Sequence, residues 1–172
     1  MQLSSITHAT LHDAAEIVAL VNSAYRGEEA KKGWTTEADL LSGQRIDQSM
    51  LTEQFNKPGA VILKYCNAAN KIVGCVALEP EDNNLYLGMF SVSPAEQAKG
   101  IGKQLLAASE QYAKNNNYQA IVMTVISVRE ELIAWYQRHG YTPTGEIKPF
   151  HAGEEFGIAK QPLVLNVLKK TI

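Results

Sequence analysis

Apolar positions along the first part of this chain recur at helical spacing. Ala14, Ile17, Val18 and Val21 fall at i, i+3, i+4 and i+7, with Tyr25 one turn further on. That pattern predicts an amphipathic helix after a short strand over residues 5–10, with Asp13 as its N-cap. Residues 26–34 are polar and contain glycine, which predicts a loop. Thr36 opens a short helix, with Asp39 as its capping-box partner and Gly43 as an interruption. Asp47 caps a further helix that runs through Met50, Leu51 and Phe55 to Pro58.

The period then changes. Residues 60–66, 72–79 and 84–92 are strand-like runs joined by short polar turns, which predicts an antiparallel meander. Residues 85–92 are apolar on both parities, as in a central strand covered on both faces. Residues 100–116 read as a helix with Ile101, Leu105, Ala108 and Tyr112 in one stripe, and residues 119–126 as a strand. A helix of this length between two strands implies a parallel, right-handed crossover. Ser127 and Glu130 suggest a capping box for a helix over residues 129–139, which Gly140 ends at the C′ position. A strand starts at Tyr141, a long loop spans residues 145–161, and a final strand covers residues 163–168. The fold class is α/β (α+β in some schemes): a single mixed, mostly antiparallel sheet flanked by helices, in one domain over residues 1–172.

Composition narrows the function. Sixteen basic against eighteen acidic side chains give a formal charge of −2 with no long basic run, which disfavours nucleic acid as a partner. The apolar runs are too short for a membrane span, and the N-terminus has no signal-peptide pattern. A cytoplasmic location is expected. In the predicted hairpin around residues 67–70, Cys66 lies opposite Lys71 and Cys75 opposite Ile62. Four strand positions, roughly 13 Å, then separate the thiols, so both are expected to be buried and free. His8, His12, His139 and His151 show no metal spacing, and no metal is expected. His139 lies in a last helical turn, where a cation favours the macrodipole.

The segment FSVSPAEQAKGIGK at residues 90–103 carries the most chemistry. A buried strand ends at Val92, Pro94 turns the chain, and a helix begins at Gly100. Gly100 and Gly102 have no side chain to block the free N–H groups of its first turn, which form an anion site. Lys99 and Lys103 oppose the macrodipole there unless a polyanion sits between them. The other reading is a glycine-rich helix start with two solvated lysines. A Walker A loop is excluded, because Gln104 follows Lys103 and no glycine stands five residues before Gly102. A dinucleotide fingerprint is excluded by Leu105 and by the antiparallel meander before the motif.

Gln97-x-x-Gly100-x-Gly102 after a central strand resembles the acetyl-CoA pyrophosphate motif, Q/R-x-x-G-x-G/A, of the GNAT superfamily of N-acetyltransferases. The element order is similar to that superfamily's acyl-CoA N-acyltransferase fold from first strand to last. Leu132-Ile-Ala-Trp-Tyr136 before His139-Gly-Tyr141 resembles its second motif, a helix with an inward Tyr that ends at Gly and an aromatic residue. The resemblance implies an enzyme that transfers acetyl from acetyl-CoA, as cosubstrate, to a primary amine. The backbone of Phe90, Ser91 and Val92 would pair with the pantetheine arm. Gln97 and the amides of Ala98, Lys99, Gly100, Ile101, Gly102 and Lys103 would hold the pyrophosphate. Tyr136 would stand near the thioester sulfur. Direct attack of a neutral amine gives a tetrahedral oxyanion, which a backbone N–H near Phe90 can stabilise, and then expels a thiolate. A phenol of pKa ~10 protonates a thiolate of pKa ~8.5 only by a short, coupled transfer. The other reading of Tyr136 is a core aromatic packed on Leu132.

The sequence departs from the family pattern in two places. Arg129 stands where many members carry an Asn that contacts the cofactor; it would hold a CoA phosphate or sit solvated in a first turn. Thr124 stands where some relatives place a carboxylate base, so the base is left open among Glu28, Glu29, Glu79 and a water relay. Glu28, Glu29 and Trp34 lie where relatives bind the acceptor, and would either attract a cationic amine or belong to a solvated loop; residues 150–156, with Glu154 and Glu155, would form a substrate lid. The acceptor is a small-molecule or peptide amine, and a homodimer is left open. A non-catalytic module that binds CoA or acyl-CoA as a sensor or partner domain is the alternative function.

Overall fold

The structure is a computed structural model that describes residues 5–25, 41–42, 46–97, 99–149, 158–159 and 163–172. Strands β1 (Ile6–His8), β3 (Val61–Cys66), β4 (Ile72–Glu81), β5 (Asn84–Val92), β6 (Ala120–Ile126), β7 (Thr142–Pro149) and β9 (Val164–Thr171) form one sheet. Its order is β1-β3-β4-β5-β6-β9-β7, which places β5 at the centre, as its doubly apolar sequence predicts. β2 (Leu41–Ser42) and β8 (Ile158–Ala159) form a separate antiparallel pair. Among the described residues the α-helices are α1 (Ala14–Tyr25), α2 (Gln48–Asn56), α3 (Ile101–Asn115) and α4 (Glu130–Arg138).

Two cores lie on opposite faces of the sheet. Ile17, Leu20 and Val21 of α1 and Leu51 of α2 pack with Cys75, Ala77 and Met89. Leu105 and Leu106 of α3 and Leu132 and Tyr136 of α4 pack with Val76, Leu78, Leu85, Phe90 and Val92. Each fully buried leucine contributes roughly 1.5–3 kcal/mol. Every residue from Ile72 to Leu78 is buried, because β4 serves both cores.

The meander and the crossover match the sequence pattern. β3, β4 and β5 pair antiparallel in turn, and β5 pairs parallel with β6. That parallel ladder holds at Leu85–Ile121 and Tyr86–Val122. Among the described residues, β5 from Leu87 to Val92 has no partner on β6, so the two strands open as they approach α3 and α4.

Several expected details differ. A 3-10 turn over Leu11–Asp13 precedes α1, so Thr10 takes the cap position. Asp13 instead accepts the Thr10 N–H at 2.9 Å and the Lys64 ammonium at 3.0 Å. In the hairpin, Cys66 faces Ile72 and Cys75 faces Lys64, because a register irregularity at Tyr65/Cys66 leaves Val73 as an extra residue. Both thiols are free, Cys75 buried and Cys66 half-buried. The Ser127 capping box does not form. The Ser127 N–H is used by the Val164 carbonyl at 2.9 Å, and α4 begins one residue later with Arg129 in the cap position. Gly140 ends α4 at a φ of 95°, as expected.

The expected loop over residues 145–161 is in part strand. β7 runs through Gly145, at a φ of 91°, to Pro149. Every residue of β7 is exposed, so no apolar alternation marks it. The final strand extends to Thr171. The short helix from Thr36 with Asp39 and Gly43, and the loop over residues 26–34, lie outside the described residues. No described helix is long and apolar enough to cross a membrane.

Candidate active site

The opening between β5 and β6 is built around a β-bulge. Cys75 pairs with Ser91 and Ala77 with Gly88, so Met89 and Phe90 together oppose Val76. Met89 has a φ of 52°, in the left-handed region, a conformation that costs a non-glycine residue about 1–3 kcal/mol. The extra residue also inverts the side-chain parity of the strand. Leu85 and Leu87 face the α3/α4 core, Met89 faces the α1 core, and Phe90 and Val92 face α3/α4 again.

Side chains hold the bulge in place. The Met89 carbonyl accepts from Ser91 Oγ at 3.2 Å and from Cys75 Sγ at 3.8 Å. The Phe90 carbonyl accepts from the Tyr25 hydroxyl. The Val92 carbonyl accepts from Gln97 Nε2 at 2.9 Å, which puts Gln97 at the end of the strand. Burial pushes the Cys75 thiol up to about 12, so it is inert as a nucleophile near neutral pH.

The N-terminus of α3 follows directly. Gly100 caps it at a φ of 83°, and nothing lies within 4 Å of where a Cβ would stand. No described side chain caps the helix. The Gln104 N–H takes the Gly100 carbonyl at 3.1 Å, so the amides of Ile101, Gly102 and Lys103 precede the first intrahelical bond. A Cβ at Gly102 would meet Phe90 at 3.4 Å and Trp135 at 3.6 Å, ordinary contact distances, so this position packs beside both rings. Lys99 is not a bare cation, since it pairs with Glu96 at 3.1 Å. Lys103 is exposed. Ala98 lies outside the described residues.

Tyr136 is both a core aromatic and a neighbour of the opening. It is 4% exposed and meets Phe90 edge-on with ring centroids 6.2 Å apart. Burial holds its pKa well above the usual phenol value; Tyr25, Tyr141 and Tyr86 push the same way, and the Arg129 guanidinium opposes them. The phenol therefore keeps its proton at neutral pH. Arg129 sits with its guanidinium carbon 6.0 Å from the centre of the Tyr25 ring. Tyr86 and Thr124 join β5 to β6 by a hydroxyl hydrogen bond.

Of the base candidates, Glu79 is engaged by Lys57 at 3.1 Å and Gln54 at 3.3 Å. Glu28, Glu29, Trp34, His151 and the lid residues 150–156, with Glu154 and Glu155, lie outside the described residues. Sequence reasoning missed Tyr25 and Tyr86. Tyr25 closes the apolar stripe of α1 and reads there as a core residue.

A family model described as the acetyltransferase (GNAT) family matches residues 14–141. N-acetyltransferase 8B of Homo sapiens is 27% identical over 123 residues, covering 68% of this chain and 53% of that protein. The chain thus spans about half the length of that relative. A ribosomal-protein-alanine N-acetyltransferase from Brucella melitensis superposes with a TM-score of 0.72 at 21% identity, over 97% of this chain and 99% of that one. A Bacillus anthracis protein described as a streptothricin acetyltransferase, solved in complex with acetyl coenzyme A, superposes with a TM-score of 0.58 at 21% identity, over 70% and 67% of the two chains. At that identity the two solved structures show a common fold. The family match runs from the first residue of α1 through the bulge, the start of α3 and Tyr136 to Tyr141, and on it the chain belongs to the acetyltransferase (GNAT) family.

Proposed function

We propose that this chain, acting as a single domain, transfers an acetyl group from acetyl-CoA to a primary amine by direct attack. The observation that carries the reading is the opening of β5 from β6, with the uncapped start of α3 at one end and Tyr136 beside it. The residues fit a CoA thioester. The open space over Gly100 and the amides of Ile101 to Lys103 suit a pyrophosphate. The edge of Phe90, Ser91 and Val92, which among the described residues pairs with no residue of β6, suits an extended amide-bearing arm. The family's Bacillus anthracis neighbour, with its bound acetyl coenzyme A, supports the same cosubstrate.

Acetyl-CoA supplies the acyl carbon: the amine nitrogen bonds to it and loses a proton, the C–S bond breaks, and the leaving thiolate takes a proton. Tyr136 relays it, giving its proton to the sulfur and taking back the one that nitrogen loses, because burial disfavours a lasting phenolate. Arg129, close enough to oppose the raised pKa of Tyr136, supplies positive charge where negative charge develops. Cys75 takes no acyl group, since its thiol stays protonated. Gln97 fixes the end of β5 at the pyrophosphate side. Two free thiols suit a reducing compartment such as the cytoplasm.

The test is thiol release from acetyl-CoA across a panel of amino acids, polyamines, aminoglycosides and peptides. Amine-dependent release with a matching acetylated product is the expected result. CoA binding without turnover of any amine overturns the enzymatic reading.

A further inference from the structure

We infer that Tyr25 is a positioning residue for acyl transfer, its hydroxyl holding the Phe90 carbonyl so that the Phe90–Ser91 peptide keeps one orientation along the open edge of β5. The inference rests on the acetyl-transfer reading above. Met89 and Phe90 have no register partner on β4, and β6 has already diverged at this level. The ladder therefore reaches the Phe90–Ser91 peptide only through Ser91, which pairs with Cys75 on β4. Side chains take the carbonyls. Ser91 and Cys75 take the Met89 carbonyl, and among the described residues Tyr25 takes that of Phe90.

A role in packing alone does not account for this tyrosine. It is the last residue of α1 and lies 8% exposed, at the end of a stripe that Ile17, Val21 and Ala24 fill with aliphatic carbon. A phenylalanine ring would continue that stripe equally well. The hydroxyl instead reaches across 65 residues of sequence to the Phe90 carbonyl oxygen at the bulge. Arg129 packs over the same ring, so the ring is held from α1 below and from the start of α4 above. A peptide fixed in this way presents the same backbone to every thioester that enters. A peptide free to rotate does so only part of the time, and misplacement by about 1 Å can cost a hundredfold in rate.

The sequence offers a direct probe, because Phe90–Ser91 is the one Phe–Ser pair in the chain. Carbonyl-13C phenylalanine with 15N serine gives a single amide resonance that reports the Phe90 carbonyl. In Tyr25→Phe that carbonyl should move upfield as its hydrogen bond is lost. With the most active amine, kcat should fall about 10–100-fold. The KM for acetyl-CoA and the rise in Tm produced by CoA should stay within about twofold of the wild type, a split that a general loss of structure does not produce. An unmoved resonance, or an unchanged kcat in an active enzyme, overturns the role of Tyr25 and leaves acetyl transfer standing. A parallel loss of kcat, KM and Tm makes Tyr25 structural and overturns it too. A wild type that releases no thiol with any amine removes the acetyl-transfer reading, and the positioning role with it.

Discussion

Tyr86 and Thr124 share a hydroxyl hydrogen bond of 2.8 Å that ties β5 to β6 at the last rung of their backbone ladder. A neutral hydroxyl so engaged braces the two strands and accepts no proton at neutral pH. Thr124→Val should lower the unfolding free energy by about 0.5–1.5 kcal/mol in a urea titration. The acid limb of its kcat/KM profile should coincide with that of the wild type. A displaced limb would put Thr124 on the proton path.

Tyr136→Phe keeps the edge contact with Phe90 and removes the proton donor. We expect kcat to fall roughly 10–10⁴-fold with little change in acetyl-CoA affinity. Full activity with several amines would show that water protonates the thiolate. The same phenol sets the alkaline behaviour. Its pKa is raised well above the ordinary value of 10, so the donor form persists as pH rises through 10. The kcat profile should show no fall below pH 10 that Tyr136→Phe abolishes, and finding one would contradict the buried, protonated state.

Lys103 gives a test in which two effects have opposite signs. A cation in the first turn of α3 opposes the macrodipole, by about 0.3–1 kcal/mol. Lys103→Glu should therefore raise the Tm of the free protein slightly. It should also shrink the rise in Tm produced by CoA, because a carboxylate there repels the pyrophosphate. Thermal unfolding with and without CoA reads both. An undiminished CoA shift would remove the start of α3 from the cofactor site.

Acid stability should depend on Asp13. Burial alone would raise its pKa, but the Thr10 N–H and the Lys64 ammonium outweigh that, and the net value lies below the ordinary 3.8. A carboxyl depressed on folding contributes stability above the unfolded pKa and loses it as pH falls through the folded one. Asp13→Asn should be less stable than the wild type near neutral pH, and the gap should close below about pH 3.8. Chemical denaturation at several pH values measures that gap. A gap that persists unchanged to pH 2 would show that the ion pair with Lys64 contributes nothing.

Runs of apolar residues made the meander, the crossover and the central place of β5 legible, because burial on two faces leaves a direct trace in composition. The start of α3 was legible through Gly100, whose left-handed backbone favours glycine. The bulge was not. Met89 adopts the left-handed region without being Gly, Asn or Asp, since Cys75 and Tyr25 bond the segment from outside it and Ser91 from within. The support from Cys75 and Tyr25 comes from residues distant in sequence and has no local signature. β7 was half missed for the opposite reason, as an exposed strand needs no apolar alternation.

An unpaired strand edge is ordinarily a hazard, since it invites a strand from another molecule and so begins aggregation. In this protein the open edge of β5 is in the middle of the sheet. β4 covers one side of the strand, and the side that opens faces β6 across a gap that closes at Tyr86. α3 and α4 pack over the face behind it. The unpaired backbone of β5 thus lies inside the sheet, away from the outer strands β1 and β7 where a strand from another molecule would add.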